Sequence, residues 1–376
     1  MEFALKVIPF LFILISVMCY YLFNKEVVLI DYCEHNSKNL IFNEELCNDI
    51  LQGNITIDKN YFQMFINLFS TKPLFRGKFN NSSVVLKTTV SVDHVKKLEN
   101  DFLRIFTNVS KDDNSLLFVQ MQVHSLINIP YGSPEFSKLR LCPVNSNVER
   151  FFNKISGFSH EVHDYLQLWT ILSSNPEPLI MKMLDPKVWP VPQYFGSCGQ
   201  LIVVEDCGLT LTNYYDSDWD IRANLSYQLL ENAVKFTFQD PDFAYYMTDI
   251  SPDNIAVTRE GVVKYIDLEH FILIDKNSKG PDDWLVNHTS RHYDCSNCLT
   301  FEPDEICSHQ VSDHNIYAVC KEILSDSELL PGGFLHSVPV PQLHLINHFI
   351  EECIQPREFS RFETAERIMY LLQKYI

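Results

Sequence analysis

Positive charge is scarce in this chain: 30 Lys and Arg stand against 48 Asp and Glu over 376 residues, a formal net charge of -18. Neutralising a phosphate backbone needs clustered basic side chains, so nucleic acid is excluded as a partner class. A nucleotide remains admissible where metal ions screen its phosphates. Internal repeats, low-complexity stretches and long Gly/Ser linkers are also missing. Those absences exclude a repeat architecture, flexibly tethered domains and a disordered polymer. What is present is core material: 46% hydrophobic residues, with 27 Phe and 17 Tyr. The length accommodates roughly one to three domains.

The amino-terminal residues set the expected compartment. Val7 to Phe23 is a run of 17 residues without charge, bracketed by Lys6 and Lys25. It is short for a spanning helix yet within range, and long for a signal-peptide core. Residues 1–25 therefore read as a signal peptide or a signal-anchor, and either sends the remaining chain into the secretory lumen. Contact with a membrane is expected only through this segment, if it is uncleaved. Of 11 Cys, Cys19 lies inside the run. Ten remain: Cys33, Cys47, Cys142, Cys198, Cys207, Cys295, Cys298, Cys307, Cys320 and Cys353, an even number compatible with five disulfides. Cys33 and Cys47 are close enough in sequence to close a loop. Asn54, Asn80, Asn81, Asn108, Asn224 and Asn287 open glycosylation sequons. His292, Cys295, Cys298, Cys307 and His309 have zinc-like spacing. In an oxidising lumen disulfides with Cys307, Cys320 or Cys353 are the better reading, so no structural zinc is expected.

Periodicity organises the rest. Residues 26–70 read as a short lumenal segment, followed by one unit over 71–376. Leu74–Phe79 and Ser83–Val90 read as strands flanking an Asn80-Asn81-Ser82 turn. Val92–Phe106 reads as a helix, and 107–150 shows little pattern. Helical spacing returns over Phe158–Leu172 and is stopped by Asn175-Pro176-Glu177-Pro178. Two strand-like pieces follow, near Gln193–Gly196 and Leu201–Val204, and then a linker-like Glu205-Asp206-Cys207-Gly208. From there helical patterns dominate: about Ala223–Phe238, His314–Leu324, Leu343–Cys353 and Thr364–Lys374.

Chemistry concentrates in Met247-Thr248-Asp249-Ile250-Ser251-Pro252-Asp253-Asn254 and Tyr265-Ile266-Asp267-Leu268-Glu269. Asp249, Asn254 and Asp267 are separated by five and thirteen residues, with a strand-like run before Asp267. Phosphoryl transfer needs metal ions on the phosphates, donors to hold them and a carboxylate near the attacking hydroxyl. Asp249 suits the last role as catalytic residue; Asn254 and Asp267 suit oxygen ligation of a hard metal. Protein kinases use this spacing. Lys87, on a strand just before a helix, is the candidate phosphate lysine. Its acidic partner is assigned to Glu161 on the helix preceding the next strand pair, with Glu99 and Asp164 as alternatives. Asp313 opens an apolar helix and is read either as its N-cap or as a support for the Asp249 loop.

With these segments placed, the chain resembles the divergent protein kinase domain family, in its second, deleted-in-autism-related branch. The likeness covers roughly residues 75–376. It is densest at Asn175-Pro176-Glu177-Pro178-Leu179, Tyr194-Phe195-Gly196-Ser197-Cys198-Gly199, the Asp249 loop and Asp313-His314-Asn315-Ile316-Tyr317-Ala318-Val319-Cys320. The resemblance implies an α+β, bilobal protein-kinase-like fold, with a β-rich N-lobe about 71–206 and a larger helical C-lobe about 207–376, stabilised by disulfides. It also implies residence in the Golgi, the ER or the extracellular space. Departures from an active kinase are plain: only Gly77 lies between Leu74 and Lys87, Ser251 replaces a lysine, and Asp-Leu-Glu replaces Asp-Phe-Gly. Two functions follow. One is an atypical secretory-pathway kinase using ATP with Mg or Mn on a lumenal or extracellular protein or glycan. The other is a pseudokinase acting as a binding module.

Overall fold

The computed structural model describes residues 44–58, 70, 72–106, 113–133, 138–155, 157–199, 201–293, 301–338 and 344–376. The Val7–Phe23 run, Cys33, Cys295, Cys298 and Asn108 lie outside them. Among the described residues no helix is long and apolar enough to cross a membrane. Those residues form three sheets from β1 (Ile55–Ile57), β2 (Leu74–Phe79), β3 (Ser82–Thr88), β4 (Leu139–Cys142), β5 (Tyr194–Cys198), β6 (Leu201–Glu205), β7 (Leu209–Thr210), β8 (Phe243–Met247), β9 (Ile255–Val257), β10 (Val263–Tyr265) and β11 (Phe271–Asp275).

The chain divides into two compact units, and neither is continuous in sequence. The first takes residues through Leu116, Glu161–Pro178 and Gln193–Asp206. It is built on an antiparallel sheet in the order β1-β2-β3-β6-β5. Alternation along β2 and β3 turns Phe75, Phe79, Val84 and Leu86 inward, where Leu46 and Ile50 of the Glu44–Leu51 helix cover them. Side chains of this size each contribute ~1.5–3 kcal/mol on burial. Asn80 and Asn81 both adopt positive φ, 48° and 66°. That pair makes the tight hairpin turn whose twist matches the strands, and Asn tolerates it better than most residues. On the helical side, Phe102 and Phe106 of the Val92–Phe106 helix pack on Trp169 of the Val162–Ser174 helix.

Two expectations change here. Residues 44–57 are not a segment apart: their helix and β1 belong to the first unit's core. Cys47 does not close a loop with Cys33; it is bonded to Cys198, because the Glu44–Leu51 helix lies on β5. Within the stretch of little pattern, the described residues hold the Asp113–Ile127 helix, β4 and the start of the Val148–Phe152 helix. Leu117–His160 and Leu179–Pro192 join Cys207–Ile376 in the second unit.

In the second unit β11 is central in its sheet, parallel to β4 and antiparallel to β8. All five residues of β8 and of β11 are buried. The Trp219–Phe238 helix packs on β8 and on the His314–Val319 and Arg361–Leu372 helices. A smaller sheet runs β10-β9-β7. Cys142 at the end of β4 is bonded to Cys307, and Cys320 to Cys353. Cys307 and Cys320 are therefore not partners of Cys295 or Cys298. Cys207 is buried.

Candidate functional site

Each unit positions one set of the expected groups. In the first, β3 is the middle strand of the sheet, and burial alternates along it so that Lys87 is half-buried. Its Nζ lies 2.6 Å from Glu177 Oε1, with the two side chains 18% and 1% exposed. Glu161, the partner expected from sequence, is exposed at the N-cap of the Val162–Ser174 helix. The pairing therefore belongs to Glu177, the first residue of a Glu177–Met183 helix. Asn175 sets that helix in place: its Oδ1 accepts from the Glu177 amide at 2.9 Å, and its Nδ2 donates to the Thr89 carbonyl at 3.2 Å, just past β3. Asn-Pro-Glu-Pro stops one helix and starts the next. Only the stop was legible. The missed signal was an acidic residue opening an apolar Leu-Ile-Met run. Tyr194 shares Glu177's surroundings, and burial, opposed by Ser197 and helped by Glu177, pushes its hydroxyl up to about 12.

Gly77 serves the sheet. It pairs with Ile57 in the sheet, and a Cβ there would run into the Thr56 carbonyl oxygen. The β2–β3 turn itself presents the exposed side chains of Asn80 and Asn81.

In the second unit, β8 ends at Met247 and leads straight into Thr248 and Asp249. Asp249 is exposed. A short turn, Pro252–Asn254, feeds β9, which returns through β10 to Asp267. The Ile266 amide donates to the Asn254 carbonyl at 2.9 Å, extending the Tyr265–Ile255 register. Asn254 and Asp267 are thereby brought to the same end of the β9–β10 hairpin. Asn254 Nδ2 donates to the Asp249 backbone carbonyl at 3.2 Å, which makes Oδ1 the end able to meet a cation. This pair of oxygen donors fits Mg2+ or Mn2+. Among the described residues no group of three or more His, Cys, Asp or Glu forms a metal cage. Two protein oxygens alone suit a magnesium ion that completes its shell with water and substrate phosphate.

The residue after the Asp267-Leu268 pair, Glu269, is compensated: Lys138 Nζ lies 2.9 Å from its Oε2. His270 follows, with Nδ1 at 3.5 Å from Asp249 Oδ2. Burial, with Asp249 adding to it against Lys321, raises the carboxyl pKa of Glu322, on the π-helical turn Cys320–Leu324.

Asp313 occupies the N-cap position of the His314–Val319 helix, as one of its two readings expected. It makes no side-chain cap, and instead accepts from the Ser290 amide at 2.8 Å and from Arg361 Nη1 at 2.7 Å. Arg361 is 1% exposed and also donates to the Cys353 and Ile354 carbonyls. The support of β8 comes from the next two residues. His314 Nε2 faces the Met247 carbonyl at 2.9 Å, while Asn315 bonds the Met247 amide at 3.2 Å and the Tyr245 carbonyl at 2.7 Å. Among the sequon residues, Asn54, Asn80, Asn81 and Asn287 are exposed, whereas Asn224 is half-buried on the Trp219–Phe238 helix.

A family model for the protein-kinase domain of FAM69 matches residues 168–356. The chain belongs to this family of divergent protein kinases. Divergent protein kinase domain 2A of Xenopus tropicalis is 35% identical over 222 residues, which is 55% of this chain and 52% of that protein. The human 2A protein is 34% identical over the same length and shares. Human divergent protein kinase domain 2B is 26% identical over 193 residues, 50% of this chain and 42% of that protein. The chain thus spans about half the length of the relatives it matches. Among solved structures, a Mycobacterium tuberculosis Rv3197–erythromycin complex covers 54% of this chain and 44% of its own at 12% identity. Its TM-score of 0.27 carries no argument. The family model begins at Leu168 and so includes Glu177, Asp249, Asn254, Asp267 and Asp313, but not Lys87.

Proposed function

We propose that this family member is a secretory-pathway kinase-like protein that binds ATP with Mg2+ or Mn2+ and transfers phosphate to a hydroxyl of a lumenal protein or glycan. The Lys87–Glu177 pair carries the reading. Burying an ion pair contributes little stability compared with apolar packing of the same volume, so its retention on the middle strand calls for another reason. Lys87, aligned by Glu177, supplies the phosphate-side cation. Asn254 and Asp267 supply metal ligands, and a metal held there neutralises phosphate charge. Asp249, exposed and backbone-anchored through Asn254, is placed to accept the proton of an incoming hydroxyl. The leader-like run, the disulfides and the exposed sequons support the lumenal location.

The test has two steps. Thermal-shift titration of the purified chain with MgATP or MnATP should raise Tm. At ligand one hundred times its Kd the stabilisation is about 2.7 kcal/mol. Asp267→Asn should abolish the shift. Radiolabelled ATP with a lumenal extract should then give transfer that Asp249→Ala loses. Binding without transfer, or equal transfer by that variant, refutes the enzyme.

A second reading, a pseudokinase binding module, draws on one observation. The β2–β3 turn holds Asn80 and Asn81 where close approach of backbone amides to phosphate favours glycine. Absence of any nucleotide shift in the first step supports it.

A further inference from the structure

We propose that His270 is the positioning residue of Asp249, turning its Nδ1–H to the carboxylate and holding it in one rotamer. The inference rests on the kinase reading of Asp249 for its catalytic consequence, though not for the pairing itself. Asp249 is the most exposed member of the set, its side chain 54% accessible, and such a group sweeps several rotamers unless a neighbour restrains it.

The backbone brings that neighbour close. β8 and β11 are hydrogen-bonded from Phe243–Asp275 to Met247–Phe271, and one step further the Thr248 amide donates to the His270 carbonyl at 3.2 Å. The residue before Asp249 is therefore tied to His270 itself. His270 is only 24% exposed, so its ring has restricted freedom. Its Nδ1 lies 3.5 Å from Asp249 Oδ2 and 4.0 Å from Glu269 Oε1. Lys138 engages Glu269 through the other oxygen, which leaves Asp249 as the nearer carboxylate for the imidazole. At 3.5 Å the buried Nδ1 makes no hydrogen bond in this state, and catalytic contacts commonly close only with substrate bound. No other basic side chain is recorded within ion-pair distance of Asp249 among the described residues.

The geometry gives a specific test. Asn at position 270 places an amide N–H where Nδ1 lies; Gln places it where Nε2 lies. In the transfer assay, His270→Ala should lower kcat by ten-fold or more with the KM for ATP unchanged. His270→Asn should recover most of the loss and His270→Gln should not. Equal kcat for wild type and alanine variant overturns the proposal, as does equal rescue by both amides. The pairing is also read without turnover, from 15N-histidine spectra of the full chain near neutral pH. The resonances lost in His270→Asn identify the ring. Protonation at Nδ1, shifting in Asp249→Asn, supports the pairing; an Nε2–H tautomer unaffected by that substitution overturns it. If wild type transfers no phosphate, the kinase reading falls by itself and the spectra decide the pairing.

Discussion

Lys87 Nζ sits 2.6 Å from a Glu177 carboxylate that is almost wholly withdrawn from water. Removing one partner takes this ion pair from the other charge, which costs roughly 3–5 kcal/mol where both are buried; here Lys87 keeps some solvent, so the lower end applies. Glu177→Ala and Lys87→Met should each lower the denaturation midpoint of the first unit and abolish the ATP-dependent shift. The double substitution Lys87→Met with Glu177→Leu should restore much of the stability but none of the nucleotide response. Recovery of both would show that the pair is structural alone.

Gly77 gives a prediction of the opposite kind. A methyl there meets the Thr56 carbonyl oxygen, a backbone atom that cannot swing aside. Gly77→Ala should detach β1, destabilising the chain by about 1–3 kcal/mol. Amide exchange should rise at Ile55 to Ile57. Were Gly77 a phosphate-contacting glycine, nucleotide affinity would fall with stability untouched.

Acid should weaken the second unit. Burial lowers the His314 pKa from 6.5 to about 4, against the pull of the Met247 carbonyl, and Arg361 adds to the fall. Burial, with the nearby His309, lowers that of His288 to about 3. Between those values and 6.5 the unfolded chain binds protons that the folded one refuses, so the stability present above pH 6.5 drains away as pH falls toward 4. Asp313, raised by burial despite Arg361, works in the other direction above 3.8, but it is one group against two. Denaturant unfolding at pH 7.5 and 4.5 should differ by ~1–3 kcal/mol. His314→Gln should flatten the dependence.

The Cys47–Cys198 bond closes 151 residues of chain. Replacing both by Ser should cost ~2–4 kcal/mol. Limited proteolysis should then release the Glu44–Leu51 helix while Arg361 and Cys320–Cys353 remain protected.

The β2–β3 hairpin and the Val92–Phe106 helix were legible because their information is local: two residues tolerant of positive φ between alternating strands, then a single apolar face. The β9–β10 return to Asp267 was legible for the same reason. Glu177 was not, because a motif that ends one helix hides the start of another. Cys47 was assigned by nearness in sequence, whereas its partner is set by a helix covering a strand far along the chain. Asp313 was read by type, yet the neighbouring His314 and Asn315 hold β8, since only rotation about the helix decides which side chain reaches the strand.

The bonds Cys47–Cys198 and Cys142–Cys307 interleave along the chain. Cys142 lies between Cys47 and its partner, and Cys198 lies between Cys142 and its own. Nearness along the chain therefore cannot select these partners: the fold itself must bring Cys47 to Cys198 in the first unit and Cys142 to Cys307 in the second.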